Sequence, residues 1–77
     1  DLDNSELALY PNPVTTELNV NVKGVFDAEI FDMTGKSVMQ KRIFRQGTIE
    51  TNRLAPGVYF IHLENNSHKA VRKFIIE

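Results

Sequence analysis

From Leu7 onward, short apolar runs alternate with turn residues that recur about every ten positions. No stretch keeps a helical apolar period long enough for a useful helix, so the chain is confined to strands and the turns between them. In TELNVNV, Leu18, Val20 and Val22 alternate with Asn19 and Asn21, which makes a half-buried strand with one dry face. VFDAEIFD repeats the pattern, with Phe26, Ala28 and Ile30 against Asp27 and Glu29, and Lys23-Gly24 between the two runs reads as a tight turn. VYFIHLE puts Tyr59, Ile61 and Leu63 on one face and Val58, Phe60 and His62 on the other, as expected of a central strand with both faces partly covered.

The remaining runs fill out an all-β chain. LALY is short and is stopped by Pro11 and Pro13, which lack ladder donors, so it reads as an edge strand. MTGK supplies a hairpin turn in which Gly35 takes positive φ, and NNSH supplies another. SVMQKRIF keeps no single parity across Val38, Met39, Ile43 and Phe44, so a bulge or bend is expected there. GTIETNRL is a short strand with Ile49 and Leu54 as core contacts, and AVRKFIIE closes the sheet with Phe74 and Ile76 facing inward. Seven strands result, without an internal repeat.

The 77 residues allow one core. The absence of cysteine removes disulfides, thiolate zinc sites and a cysteine nucleophile, so stability has to come from packing and the backbone ladder. No apolar run approaches the roughly 18 residues of a spanning helix. Residues 1–6, DLDNSE, are polar and acidic and read as a linker from an upstream cargo domain, with the folded domain at 7–77; a start at Asp1 suggests a fragment or processed product. The first thirty residues hold one lysine against six carboxylates, and the rest hold eight Lys or Arg against four. Because those basic residues are interleaved with core positions, they read as a solvated surface.

LAPGVY has the parts of a corner that pins the crossover between two layers of a Greek-key sandwich. Leu54 plugs the core, Pro56 fixes its φ, Gly57 takes a conformation other residues resist, and the Tyr59 hydroxyl reaches back to backbone a few residues upstream. The alternative, Tyr59 as a ligand-stacking aromatic, fits an inward-facing residue beside a turn less well.

Chemical readings are weaker. His62 and His68 lack a third metal ligand. Ser5, Ser37 and Ser67 occupy a linker, a strand start and a loop, none a strained elbow, so no catalytic residue is assigned. Asp27 and Glu29 suit a solvated strand face. Asn65-Asn66-Ser67 meets the glycosylation sequon without further support. Lys41, Arg42, Arg45, Lys69, Arg72 and Lys73 would form a patch only if the middle and last strands met on one face. Nucleic acid is an unsuited partner, because the net charge is −1 and no aromatic is interleaved for base stacking. The last strand, at a sheet edge, is a candidate for pairing with another chain. No cofactor or metal is expected.

The order LYPNPVTTELNV, AEIFDMTGKSV, LAPGVYFIHL and KFIIE resembles the type A C-terminal sorting domain of the type IX secretion system, over nearly the whole chain. Pro11, Asn12 and Pro13 match that family's opening motif, Asp32 and Gly35 its central turn, Leu54, Gly57 and Tyr59 its late motif, and Lys73 and Phe74 its terminal strand. The resemblance implies an immunoglobulin-like, seven-stranded antiparallel Greek-key β-sandwich that does no chemistry. It implies a cargo that crosses the periplasm and is then directed over the outer membrane to the cell surface or medium. The implied partners are an outer-membrane translocon, shuttle proteins and a sortase-like cysteine peptidase that removes the domain near residues 1–6. Family members commonly end on or near a basic residue, whereas this chain ends on Glu77. The competing reading is an immunoglobulin-like accessory module that binds carbohydrate or packs on a neighbouring catalytic domain.

Overall fold

Leu18, Val20, Val22, Phe26, Ala28 and Ile30 all have even numbers and are all buried, so one strand can carry both expected apolar runs on one face. It does so in the computed structural model, which describes residues 7–11 and 13–77. Strand β1 spans Leu7–Tyr10, β2 Glu17–Phe31, β3 Ser37–Glu50, β4 Gly57–Glu64 and β5 Lys69–Ile76. All pairings between these strands are antiparallel, and no helix occurs among the described residues. The expected linker at residues 1–6 lies outside the described residues.

Among the described residues there are five strands where seven were expected, because two pairs of expected strands are continuous. Lys23-Gly24 is not a turn. Three residues of β2, from Val22 to Gly24, lie opposite the single Arg45 of β3, an enlarged bulge in which Gly24 has φ 106° and Arg45 φ 65°. Gly24 suits the backbone at this point, whereas Arg45 holds a left-handed conformation that a side chain disfavours. The irregularity expected in SVMQKRIF is present as a second register shift, with Val38 as the extra residue between Ser37 and Met39.

The first bulge divides the sheet. One edge of β2 pairs with β3 throughout; the other pairs with β1 over residues 19–22 and with β4 over residues 27–31. The first half therefore consists of β1, the start of β2 and the end of β3. The second half runs β3, β2, β4, β5. The amine of Lys41 donates to the carbonyl of Thr48 at 2.5 Å, seven residues along the same strand. A straight strand would separate those residues by about 23 Å, beyond the reach of a lysine stem, so β3 doubles back on itself. At this fold a Cβ on Gly47 would lie 2.7 Å from Cδ1 of Ile43, so glycine is what admits the close approach.

Doubling over is how a chain with no helix among its described residues covers its apolar face. Leu18, Val20 and Ile49 of the first half and Phe26, Ile30, Ile61, Leu63 and Phe74 of the second are each no more than 2% exposed and belong to one core cluster. β4 lies between β2 and β5, as its two-faced pattern implied, and β1 is an edge strand. Thr51, also fully buried, directs its amide to the carbonyl of Thr16, but its hydroxyl has no hydrogen-bond partner among the described residues.

A buried hydroxyl without a partner costs about 1–3 kcal/mol, which the isosteric Thr51→Val substitution removes. Urea unfolding is expected to show Thr51→Val more stable than the parent by about 1 kcal/mol; lower stability would show that the hydroxyl is hydrogen-bonded in solution.

Candidate functional site

The residue that joins the two ends of the fold is one the motif reading passed over. Val14, next to Pro13, is completely buried and forms a parallel bridge to Ile76. Its amide donates to the carbonyl of Ile75 at 2.7 Å, and the amide of Glu77 donates to the Val14 carbonyl at 2.8 Å. The segment linking β1 to β2 thus straps the end of β5. The only signal for this in the sequence is a valine amid the polar residues that follow Pro13. Pro11 and Pro13 are exposed, the Tyr10–Pro11 peptide is cis, and Asn12 lies outside the described residues.

On the other side of β5 the corner forms as expected. The Tyr59 hydroxyl donates to the carbonyl of Ala55 at 2.7 Å, while its ring stacks on Phe74 with centroids 5.9 Å apart. The bond fixes the 51–56 crossover, which carries the chain from the first half of the sheet to the second. The stacked ring presses on β5, where Phe74 lies directly opposite Tyr59. Leu54 is half-buried against the core, and Gly57 opens β4 with φ 153°. Lys73 lies opposite Phe60 and is exposed.

The central turn is a separate site. One carboxylate oxygen of Asp32 accepts from the Thr34 hydroxyl at 2.6 Å, the Thr34 amide at 2.9 Å and the Lys36 amide at 3.0 Å. Gly35 has φ 88° and donates to the Asp32 carbonyl. These bonds favour the ionised form, and the Asp32 carboxyl is held below its ordinary value chiefly by the Thr34 hydroxyl and then by the Lys36 amide. Glu29 is lowered in the same way by Ser37 and then Gln40. The turn is therefore organised by its own side chain and contacts neither the strap nor the corner in the hydrogen bonds described.

The chemical candidates do not converge. His62 tilts against Phe31 at 4.5 Å and His68 lies in the loop before β5; among the described residues no group of three His, Cys, Asp or Glu could hold a metal ion. Asp27 pairs with Arg42 at 2.9 Å on the outer face of the sheet. β3 and β5 stand on opposite sides of β2 and β4, so the basic residues of the middle and last strands do not form one patch. A depression of about 590 Å³ in the fold of β3 is lined by Lys41, Glu50 and Arg53 among others, with no histidine, serine or cysteine. Asn65, the sequon residue, is structural: its amide nitrogen donates to the Val25 carbonyl, and its oxygen accepts from the amides of Ser67 and His68.

A family model described as secretion system C-terminal sorting domain matches residues 8–77 of this chain. No curated protein matches it.

Two measurements test the assignments within the site. Tyr59→Phe is expected to lower unfolding free energy by about 1 kcal/mol, the net worth of one hydrogen bond, with the β-sheet spectrum unchanged; no loss would show that the bond adds nothing. Because the Asp32 pKa is depressed on folding, its contribution is present above the ordinary value of 3.8 and is lost as pH falls through the lowered one. Asp32→Asn should therefore flatten the acid limb of the stability–pH curve and leave its slope near neutral pH unchanged. An unchanged acid limb would assign acid sensitivity elsewhere.

Proposed function

Since this chain belongs to the family of type IX secretion C-terminal sorting domains, we propose that it is a folded, non-catalytic address whose last strand, held by the strap and the corner, is the part read by the export machinery. The observation that carries this reading is the convergence on β5. Val14 binds its end by backbone hydrogen bonds, and Tyr59 stacks on Phe74 from the neighbouring strand. Segments of the opening, late and terminal motifs, distant in sequence, are thereby spent on presenting one strand in a defined place. A flexible tail would lose conformational entropy on each recognition event, and a strand already fixed in a sheet has lost it on folding.

In this reading the cargo lies upstream, crosses the periplasm, and is carried over the outer membrane by a translocon with its shuttle proteins. A sortase-like cysteine peptidase then cuts in the region of residues 1–6 and leaves the cargo at the surface or in the medium. The doubled-over sheet takes the place of the two layers of an immunoglobulin-like sandwich. Nothing in the fold needs to open for this, which suits a domain that acts by being recognised and removed.

Residues 1–77 fused to a periplasmic reporter are expected to bring it to the surface of a bacterium with the type IX apparatus, while a fusion lacking residues 73–77 stays in the periplasm. Val14→Ala accompanies the truncation, because deleting the buried Phe74 and Ile76 also removes core. The valine variant keeps all of β5 and should export less in proportion to its lost stability. Equal surface display by the parent and the truncated fusion would remove the last strand from the signal. Intact mass of the released reporter reads the cut: a product that retains the domain would rule out its removal.

A further inference from the structure

Among the described residues the strap bonds the end of β5. The carbonyl of Ile75 and the amide of Glu77 are the groups that bond Val14, so the odd-numbered residues of β5 direct their backbone away from β4. The β4–β5 register runs from Lys69 to Ile76 without a shift, so the backbone groups of Val71 and Lys73 point the same way, onto the open edge. No hydrogen bond from a neighbouring strand reaches them among the described residues. One stand-in is present: the Arg72 guanidinium folds back and donates to the Val71 carbonyl at 3.0 Å, where an added strand would place an amide.

The side chains along this edge are those of an interface. Val71 is 52% exposed and Ile75 42%, on either side of the exposed Lys73. Lys69 has Glu64 opposite it across the ladder, whereas Lys73 has Phe60. A second copy of the chain is a poor occupant. Two-fold antiparallel pairing centred on Val71 sets Lys69 against Lys73, centring on Lys73 sets two lysines together, and centring on Arg72 opposes two arginines. Like charges directly opposite destabilise a strand pair.

The same charges favour a different occupant. We propose that the open edge of β5 over residues 69–73 takes up one added strand from another polypeptide, an extended segment that carries an apolar side chain and a carboxylate two residues apart, on one face. An apolar residue of that segment covers Val71 and a carboxylate two residues away meets Lys73, while its backbone satisfies the outward groups of Val71 and Lys73. Main-chain hydrogen bonds supply the affinity and the lysine supplies the selection. Val14 sets the limit of the added strand, because it already occupies the edge beyond Lys73. This inference rests on β5 being the strand that the export machinery reads, and it names the chemistry of what reads it.

The test uses the 77-residue chain and a short peptide in which valine and glutamate alternate at every second position with threonine between them, and a control peptide of the same length with lysine in place of each glutamate. At saturation the glutamate peptide is expected to slow amide hydrogen exchange at Val71 and Lys73 by about tenfold, with little change at β1. The lysine peptide is expected to have no effect. Lys73→Glu should reverse this preference, and Val71→Pro, which removes an outward amide and leaves the β4 ladder donors in place, should abolish protection. Should Val71→Pro fail to fold, the Lys73→Glu reversal carries the test alone. No protection, equal protection by both peptides, or a dimer of the free chain in sedimentation would overturn the proposal. The truncated reporter fusion, set beside peptide protection, separates the two readings. Truncation-sensitive export without any peptide protection leaves the export reading standing and removes the added strand, and protection with truncation-insensitive export removes β5 as the machinery's contact.

Discussion

The fold depends on one event, the doubling of β2 and β3 at a shared bulge. A single antiparallel sheet of this length has one apolar face and nothing to put against it, since the chain has neither a helix among its described residues nor a cysteine. The bulge between Val22 and Gly24, with Arg45 in a left-handed conformation opposite, turns both strands together, and the two halves of the same face bury each other. Gly47 lets the turned strand pass within contact distance of Ile43. Every later feature, including the crossover at residues 51–56 and the strap at Val14, is a consequence of having two half-sheets that the chain must move between.

That geometry explains why the clearest signals of this sequence are turns and corners. A sheet that closes by folding on itself leaves edges, and edges are where other strands add. In this chain β1 is short and ends in prolines, the end of β5 is covered by Val14, and the start of β5 carries lysines. The first two devices shorten or cap an edge. The third refuses only strands of like charge, which makes a selective edge out of a guarded one. The corner contributes rigidity at the same place, because the hydroxyl bond to Ala55 and the stack on Phe74 hold β4 and β5 as one unit.

Much of this was legible in the sequence because strand periodicity is local. The faces of β2, β4 and β5, the edge character of β1, the Asp32 turn and the Tyr59 bond all follow from residues within a few positions of one another. The number of strands did not, and the reason is specific. Lys23-Gly24 is equally suited to a two-residue turn and to a bulge, and only the partner strand decides which, since Arg45 offers one residue against three. Val14 was missed because a lone apolar residue has no period to read, and its partners, Ile75 and Glu77, lie some sixty positions away. The part Asn65 plays was not legible, because its bond to the Val25 carbonyl joins the loop before β5 to β2, which only the folded sheet brings together.

By itself the sequence determined an all-β chain with one core, the inward and outward residues of its strands, the corner at Tyr59, and the order of motifs that marks the sorting-domain family. These are set by side-chain alternation and turn stereochemistry, which operate over a few residues. Tertiary structure alone decided that two strands would bend instead of turn back, that Val14 would strap the end of β5, and that the basic residues of β3 and β5 would stand on opposite sides of the sheet. Each of these depends on which backbone groups find partners far along the chain, and that choice is made by burial of the whole apolar face at once.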